Sequence, residues 1–196
     1  MGPHTCGPLS AARATAAGSP VWRAEDAFLR SLHPGRAGEP PLGLMLDPAG
    51  LHFDARQPST LENLLRDSPV QDGPTLARAR QAMDRMQRLH LTKYAAVLPG
   101  PGPGPGHVLV VDQVRGDAAI RASGTDAAAF RAMLDAARQA HPDAPIVIRT
   151  HPEARAGFRP GHFTAKDAGG RVTLWQAPGS PWDMLRAARA VYTHSS

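Results

Sequence analysis

The second half of this chain is predicted to be α/β, a parallel sheet with helical crossovers, and two observations carry that reading. Three apolar runs, HVLVVD, PIVIRT and AVYTH, each stop at polar residues: Gln113 and Asp117, His151 and Pro152, and Ser195 and Ser196. Helix-like stretches separate the runs, and strands alternating with helices build parallel sheets through right-handed crossovers. In such a sheet all three clusters lie at the carboxyl edge, where open α/β folds bind ligands. A nucleotide site is the leading expectation. Its plain rival is that polar residues follow most buried strands, ligand or none.

Taken in order, residues 1 to 20 lack the basic start and apolar core of a secretion signal and are expected to form a disordered tail. Cys6, the single cysteine, can make no internal disulfide, which favours the cytoplasm. Residues 21 to 32, VWRAEDAFLRSL, open with a short strand-like run that passes into Glu25 and Asp26. Residues 42 to 54 read as a hairpin turned by Asp47, Pro48, Ala49 and Gly50. A helix starts after Pro58, because Ser59 and Glu62 have the spacing of a capping box and Leu61, Leu64 and Leu65 give it an apolar face. A second helix opens at Pro74 and carries Leu76, Ala79, Met83, Met86 and His90 on one stripe, with the methionines expected in a core. It ends near Lys93 and Tyr94.

Four Pro-Gly repeats over 99–106 suit neither a helix nor a central strand, and glycine at every second position is not the collagen period. They predict a hinge between a partial domain at 21–98 and another at 107–196. Beyond it, HVLVVD and PIVIRT read as buried strands, and Thr125–Ala140 reads as a helix burying Phe130, Met133, Leu134 and Ala137. A Gly/Pro-rich loop, a strand VTLW, a helix over Pro181–Arg189 and the strand AVYTH follow. The glycines of GPGPGPG precede their strand and have the wrong period, so they are no phosphate loop.

Composition narrows the function. Apolar residues make up 42% of 196, with no uninterrupted apolar stretch near the length of a membrane span. The net charge of +5 comes from 22 basic residues, nearly all Arg, scattered among 17 acidic ones, and no basic block points to nucleic acid. A diffuse positive field would still attract a sugar nucleotide or an anionic membrane surface. No His, Cys and Asp cluster has metal-ligand spacing, and His151 with Glu153 is too short a pair to make one. Neither a metal nor a cofactor is expected.

Six segments then fall into a recognisable order: WRAEDAFLRS (22 to 31), LDPAGLHFDARQPSTLENLL (46 to 65), LTKY (91 to 94), VLVVDQVRGDAAI (108 to 120), RTHPEARAG (149 to 157) and VYTHSS (191 to 196). Together they resemble the capsule polysaccharide biosynthesis family, over roughly residues 20 to 196. Characterised members are retaining β-Kdo transferases that use CMP-Kdo to build the linker joining a capsule to its lipid anchor. The resemblance implies a GT-B-like pair of Rossmann-type halves, each partial here, with the acceptor on the first half and the nucleotide on the second. It implies a CMP-Kdo donor, a lipid-linked glycan acceptor and a cytoplasmic place, peripheral on the inner membrane.

The resemblance also assigns roles. Glu25 and Asp26 inherit acid/base work toward the acceptor hydroxyl, which needs a carboxylate tuned by burial; the rival is an acidic pair tied to Arg23 or Arg30. Asp117 becomes the candidate nucleophile, since retention can proceed through a covalent glycosyl intermediate; the rival is a loop residue ordering Arg115 or Arg121. Gln113 would orient Asp117 or the sugar carboxylate. His151, stiffened by Pro152, would meet the departing phosphate in its charged form, with Arg149, Ser195 and Ser196 assisting. His141 also precedes a proline, but at a helix end it is more simply a cap.

The chain departs from the family pattern at Ala27, Ala95 and Ala119, where Gly, Asn and Ser are usual. Family modules also begin with further strand-helix units and continue past the paired serines into a G-x-E-A-L helix. The expectation is therefore a transferase complete in motifs and incomplete in fold. The competing expectation is a truncated, non-catalytic remnant with at most weak CMP binding.

Overall fold

The computed structural model describes residues 8–33, 38–68, 73–93 and 100–194. The chain divides into two compact units, residues 1–96 and 97–196.

The first unit begins with helix α1, Pro8–Ala16, inside the stretch expected to be a disordered tail. Five of the eight residues from Ser10 to Ala17 are alanine, the strongest helix former, and that local preference explains the difference. Strand β1, Arg23–Asp26, contains the acidic pair expected to follow a strand. It pairs antiparallel with β2, Leu44–Asp47, in a register running from Arg23 opposite Asp47 to Asp26 opposite Leu44. The hairpin expected within 42–54 is therefore replaced by a pairing with a more distant strand. Asp47 explains why: one carboxylate oxygen accepts from the Ala49 and Gly50 N–H groups at 2.7 and 3.1 Å, and the other from Thr60 N–H at 2.8 Å. Those bonds turn the chain into the next helix rather than back along β2. Partial burial pushes the Asp47 carboxyl up, but the bonds from Thr60, Gly50 and Ala49 outweigh it and hold the pKa at about 2.

Helix α2, Thr60–Asp67, starts at the expected capping box, with Glu62 N–H donating to Ser59 Oγ and Ser59 N–H to the Glu62 carboxylate. Helix α3, Gly73–Arg88, opens as expected but stops short of the expected end near Lys93 and Tyr94, because His90 takes a left-handed φ of 51° and Leu91 N–H turns back to the Met86 carbonyl at 2.9 Å; it buries no residue. Met83 is 54% exposed and Met86 only half-buried, so the core expected for the methionines is not formed. The apolar stripe is real, but no described element of this unit packs against it closely enough to exclude water.

The second unit holds one parallel sheet of β3 (His107–Val111), β4 (Ile146–Arg149), β5 (Val172–Trp175) and β6 (Ala188–Tyr192), in the order β5-β4-β3-β6. The chain runs outward from β3 to β5 and returns to add β6 on the far side of β3. That reversal is a topological switch point between β3 and β6, the place where open parallel sheets leave a ligand crevice. Between β3 and β4 lie α4 (Ala118–Ala122) and α5 (Ala127–Ala140); α6 (Pro152–Arg155) and a single 3₁₀ turn precede β5; α7 (Pro181–Ala187) precedes β6.

Strand residues alternate between two apolar layers, which is why the runs read as continuous hydrophobic sequence. Val108, Val110, Ile146, Ile148 and Val172 pack with Phe130, Leu134 and Ala137 of α5; Leu109 and Val147 pack with Met184 of α7. Helix α5 begins two residues later than expected, because the Asp126 carboxylate caps it through the Ala128 and Ala129 amides. Helix α7 stops at Ala187 rather than Arg189, because Ala188 already pairs with His107 and the Ala187 carbonyl accepts from Gly106 N–H. The end of α5 is closed by Arg171, whose guanidinium donates to the carbonyls of His141 and Arg138 at 2.7 Å and Ala144 at 3.0 Å. An Arg171→Ala variant is expected to lose about 1.5–3 kcal/mol of stability, read by urea unfolding, since charge-assisted bonds to orphan helix carbonyls disappear together.

The Pro-Gly repeats, described from residue 100, form no helix or strand. They are anchored on the second unit by the Gly106 bond and by His107 Nδ1, 2.8 Å from the Gly104 carbonyl. Among the described residues, no helix is long and apolar enough to cross a membrane.

Candidate functional site

At the carboxyl edge of the sheet, Asp112 to Asp117 follow β3, Thr150 to Pro152 follow β4, and Thr193 and His194 follow β6. Two of the three expected polar clusters thus leave neighbouring strands. Ser195 and Ser196 lie outside the described residues.

Asp117 is half-buried and caps α4, one carboxylate oxygen accepting from Ala119 N–H at 2.9 Å. The rotamer is thereby fixed, and among the described residues the second oxygen accepts no hydrogen bond. Its main-chain carbonyl accepts from Arg121 N–H, while the Arg121 side chain donates to the Gly116 carbonyl. Asp117 thus does not order Arg121 through its carboxylate, as the rival reading supposed.

His151 caps α6, a single turn with Pro152 at its start, and Nδ1 accepts from Glu153 N–H at 3.1 Å. With Nδ1 an acceptor, the neutral ring carries its proton on Nε2. Burial lowers the His151 pKa; Glu153 and Asp117 pull it upward, and Arg149 and Arg159 push it further down. The charged imidazole expected from the sequence is therefore disfavoured in the unliganded chain, because a half-buried ring loses hydration that neighbouring carboxylates do not fully replace. Asp117, Arg149, Arg159 and Glu153 are thus the charges that act on His151. Arg149, half-buried at the end of β4, and Arg159, 3.7 Å from Glu153, are its cations.

Gln113 follows Asp112, and its N–H donates to the Asp112 carboxylate at 2.9 Å. Glu25 and Asp26 belong to the first unit. Asp26 is bound to Arg30 at 2.6 Å, the pairing the rival reading named, whereas no cation pairs with Glu25 among the described residues. Glu25 is held by Asp26 N–H, 3.1 Å from Oε1. No group of three or more His, Cys, Asp or Glu side chains converges for a metal among the described residues. An open groove of about 270 Å³ beside Pro103, Pro105, His107 and Trp175 includes none of the site residues.

Sequence reasoning passed over Asp112, Arg115, Arg159 and His162. Asp112 is 2% exposed, and burial raises its pKa to about 6 against the opposing bonds from the His162 and Gln113 amides and the charge of Arg115. A signal was present: Asp112 has the parity of Val108 and Val110, so it ends the strand pointing into the α5 layer. A raised carboxyl pKa means the native chain holds the proton more tightly than the unfolded one. The associated stability is full below the unfolded value of 3.8 and is lost as pH rises through about 6. Unfolding free energy is expected to fall by about 3 kcal/mol across that window from this group. His151 and His162, both lowered by burial, act in the opposite direction. Comparison of urea unfolding with Asp112→Asn from pH 4 to 7 isolates the Asp112 contribution, and parallel profiles would refute it.

The family described as capsule polysaccharide biosynthesis protein matches residues 104–196. The capsule polysaccharide modification protein LipA of Neisseria meningitidis serogroup A is 37% identical over 182 residues, covering 88% of this chain and 25% of LipA. The lipopolysaccharide-processing protein LpsZ of Rhizobium meliloti is 31% identical, covering 90% of this chain and 42% of LpsZ. The chain thus spans a quarter to under half the length of these relatives. The solved structure of the Thermosulfurimonas dismutans KpsC β-Kdo 2,4 transferase matches all of this chain and 62% of its own, with a TM-score of 0.88 and 31% identity. The fold is accordingly α/β and GT-B-like, with the parallel sheet in its C-terminal half. A second KpsC structure, the β-Kdo 2,7 transferase, shares the fold at a TM-score of 0.50 and 23% identity.

Proposed function

Because the chain belongs, through residues 104–196, to the capsule polysaccharide biosynthesis family, we propose that it is part of a retaining transferase that takes β-Kdo from CMP-Kdo and delivers it to a lipid-linked glycan acceptor. One observation carries the reading: a half-buried carboxylate, Asp117, and a histidine of fixed tautomer, His151, follow neighbouring strands close enough to interact electrostatically.

In this reading Nε2–H of His151 and the guanidinium of Arg149 bind the donor phosphate, and Pro152 and the Glu153 amide keep the ring aimed. The uncommitted oxygen of Asp117 attacks the anomeric carbon as the bond to the phosphate oxygen breaks, and the electron pair leaves with CMP. Binding the dianion raises the His151 pKa, so that the ring gains charge as the leaving group does. Glu25, free of the ion pair that holds Asp26, takes the proton of the acceptor hydroxyl as that oxygen displaces Asp117. Gln113 steadies the sugar carboxylate, and Ser195 and Ser196 add donors to the phosphate. The acceptor places the enzyme in the cytoplasm against the inner membrane.

The test is calorimetric titration of the chain with CMP. Binding in the parent chain that weakens at least about tenfold in His151→Ala is expected, the worth of a charge-assisted bond. Equal affinity in the two would remove His151 from the phosphate site.

A further inference from the structure

A carboxylate buried at the end of β3 is costly unless its surroundings use it. Asp112 Oδ1 accepts from Gln113 N–H and from His162 N–H, both at 2.9 Å, so that one side chain holds two loops that are 50 residues apart in sequence. Among the described residues Oδ2 has no hydrogen-bond partner, and it fills the space that a side chain at residue 161 would need: a Cβ on Gly161 would stand 2.2 Å from it. Around this contact the two loops are stitched together. Val114 and Gly161 form an antiparallel bridge, Arg115 N–H donates to the Pro160 carbonyl at 2.8 Å, and Arg159 donates to the Arg115 carbonyl at 3.0 Å. The seam ends at Gly116, where the guanidiniums of Arg121 and Arg159 lie 3.8 and 4.0 Å from the position of a Cβ, one residue before Asp117.

We propose that Asp112 is a positioning residue whose buried carboxylate clasps the Gly161 loop to the end of β3, and thereby sets Arg159 beside Asp117 and His151 as the cationic wall on which the donor's anionic groups rest. This deepens the reading of the second unit as the donor side and rests on it for the ligand, but the clasp itself is a property of the unliganded chain. Gly161 is the matching half: any larger residue drives the carboxylate out of its place.

The experiment compares amide hydrogen exchange with affinities for CMP and for cytidine in the parent chain, Asp112→Ala, Asp112→Asn and Gly161→Ala. The expected result is faster exchange at Arg115 and His162 in Asp112→Ala and Gly161→Ala, with Val108 and Ile148 as protected as in the parent. The preference for CMP over cytidine then falls about tenfold while cytidine affinity holds, because only the phosphate side is displaced. Asp112→Asn, which keeps the Oδ1 acceptor, restores what Asp112→Ala loses. Unchanged exchange at Arg115 and His162 in Gly161→Ala overturns the clasp, and an unchanged CMP preference with faster exchange overturns its link to the ligand. A parent chain that binds neither CMP nor cytidine rejects the nucleotide reading and with it that link, while the exchange comparison still decides the clasp.

Discussion

Asp117→Asn is expected to lower Kdo transfer from CMP-Kdo by about 10⁴-fold or more, the scale on which enzymes lose rate when a nucleophile is removed, while leaving the fold intact. The prediction separates the helix cap that the structure shows at this side chain from the nucleophile's role proposed for it. Asp117 caps α4 through one oxygen, and asparagine caps helices as well as aspartate does, so the variant keeps the Ala119 bond and the stability it brings. Only the negative charge and the nucleophilic oxygen disappear. Asp117→Ala removes both jobs and adds a stability loss of about 1 kcal/mol. The measurement is CMP release and product formation with a lipid-linked glycan acceptor, in this chain and in a full-length relative carrying the same substitution. Transfer at the parental rate in Asp117→Asn would leave a structural cap and nothing more. A parent chain that binds CMP without transferring sugar would instead mark a non-catalytic remnant.

Phe130→Ala should cost the second unit about 3–5 kcal/mol, the range for emptying an aromatic site in a packed core. Phe130 is 1% exposed on the buried face of α5, and what it touches makes the loss more than hydrophobic. Its ring stacks on His162 with centroids 3.7 Å apart and planes 5° from parallel, meets Phe163 edge-on at 6.2 Å, and meets His194 at 5.6 Å. One side chain therefore seats both the Gly161 loop and the residue following β6. Phe130→Leu, which refills most of the volume, should lose less. Urea unfolding monitored by exchange of Val108, Val110 and Ile148 gives the number, and a loss below about 1 kcal/mol would mean that α5 does not hold this face of the sheet.

The family resemblance was legible because its motifs are short and local. Ser59 and Glu62 announce a capping box three residues wide, and HVLVVD and PIVIRT announce strands covered on both faces, and each was found where its residues put it. Other parts were illegible for an equally physical reason. The stripe through Met83 and Met86 has a helical period, but period alone does not say whether another element arrives to cover it, and none of the described elements of the first unit does. The partner of β2 differs from the hairpin expected within 42–54 because the turn at Asp47 looks like a hairpin from within, while its carboxylate accepts from Thr60. The neutral form favoured at His151 in the unliganded chain is hidden from the sequence in the same way, since hydration lost on burial is not written in the neighbouring letters.

The sequence by itself determined the alternation of strand and helix in the second unit, the residues that leave each strand, and the family to which they belong. Those properties follow from hydrophobic period and capping chemistry, which act over a few residues. Only the tertiary structure decided that β6 joins beside β3 to open a switch point, that Asp112 meets the Gly161 loop, and that Arg159 ends next to Gly116. Each of those depends on a contact between distant segments, whose free energy comes from excluding water and filling space once the sheet is assembled.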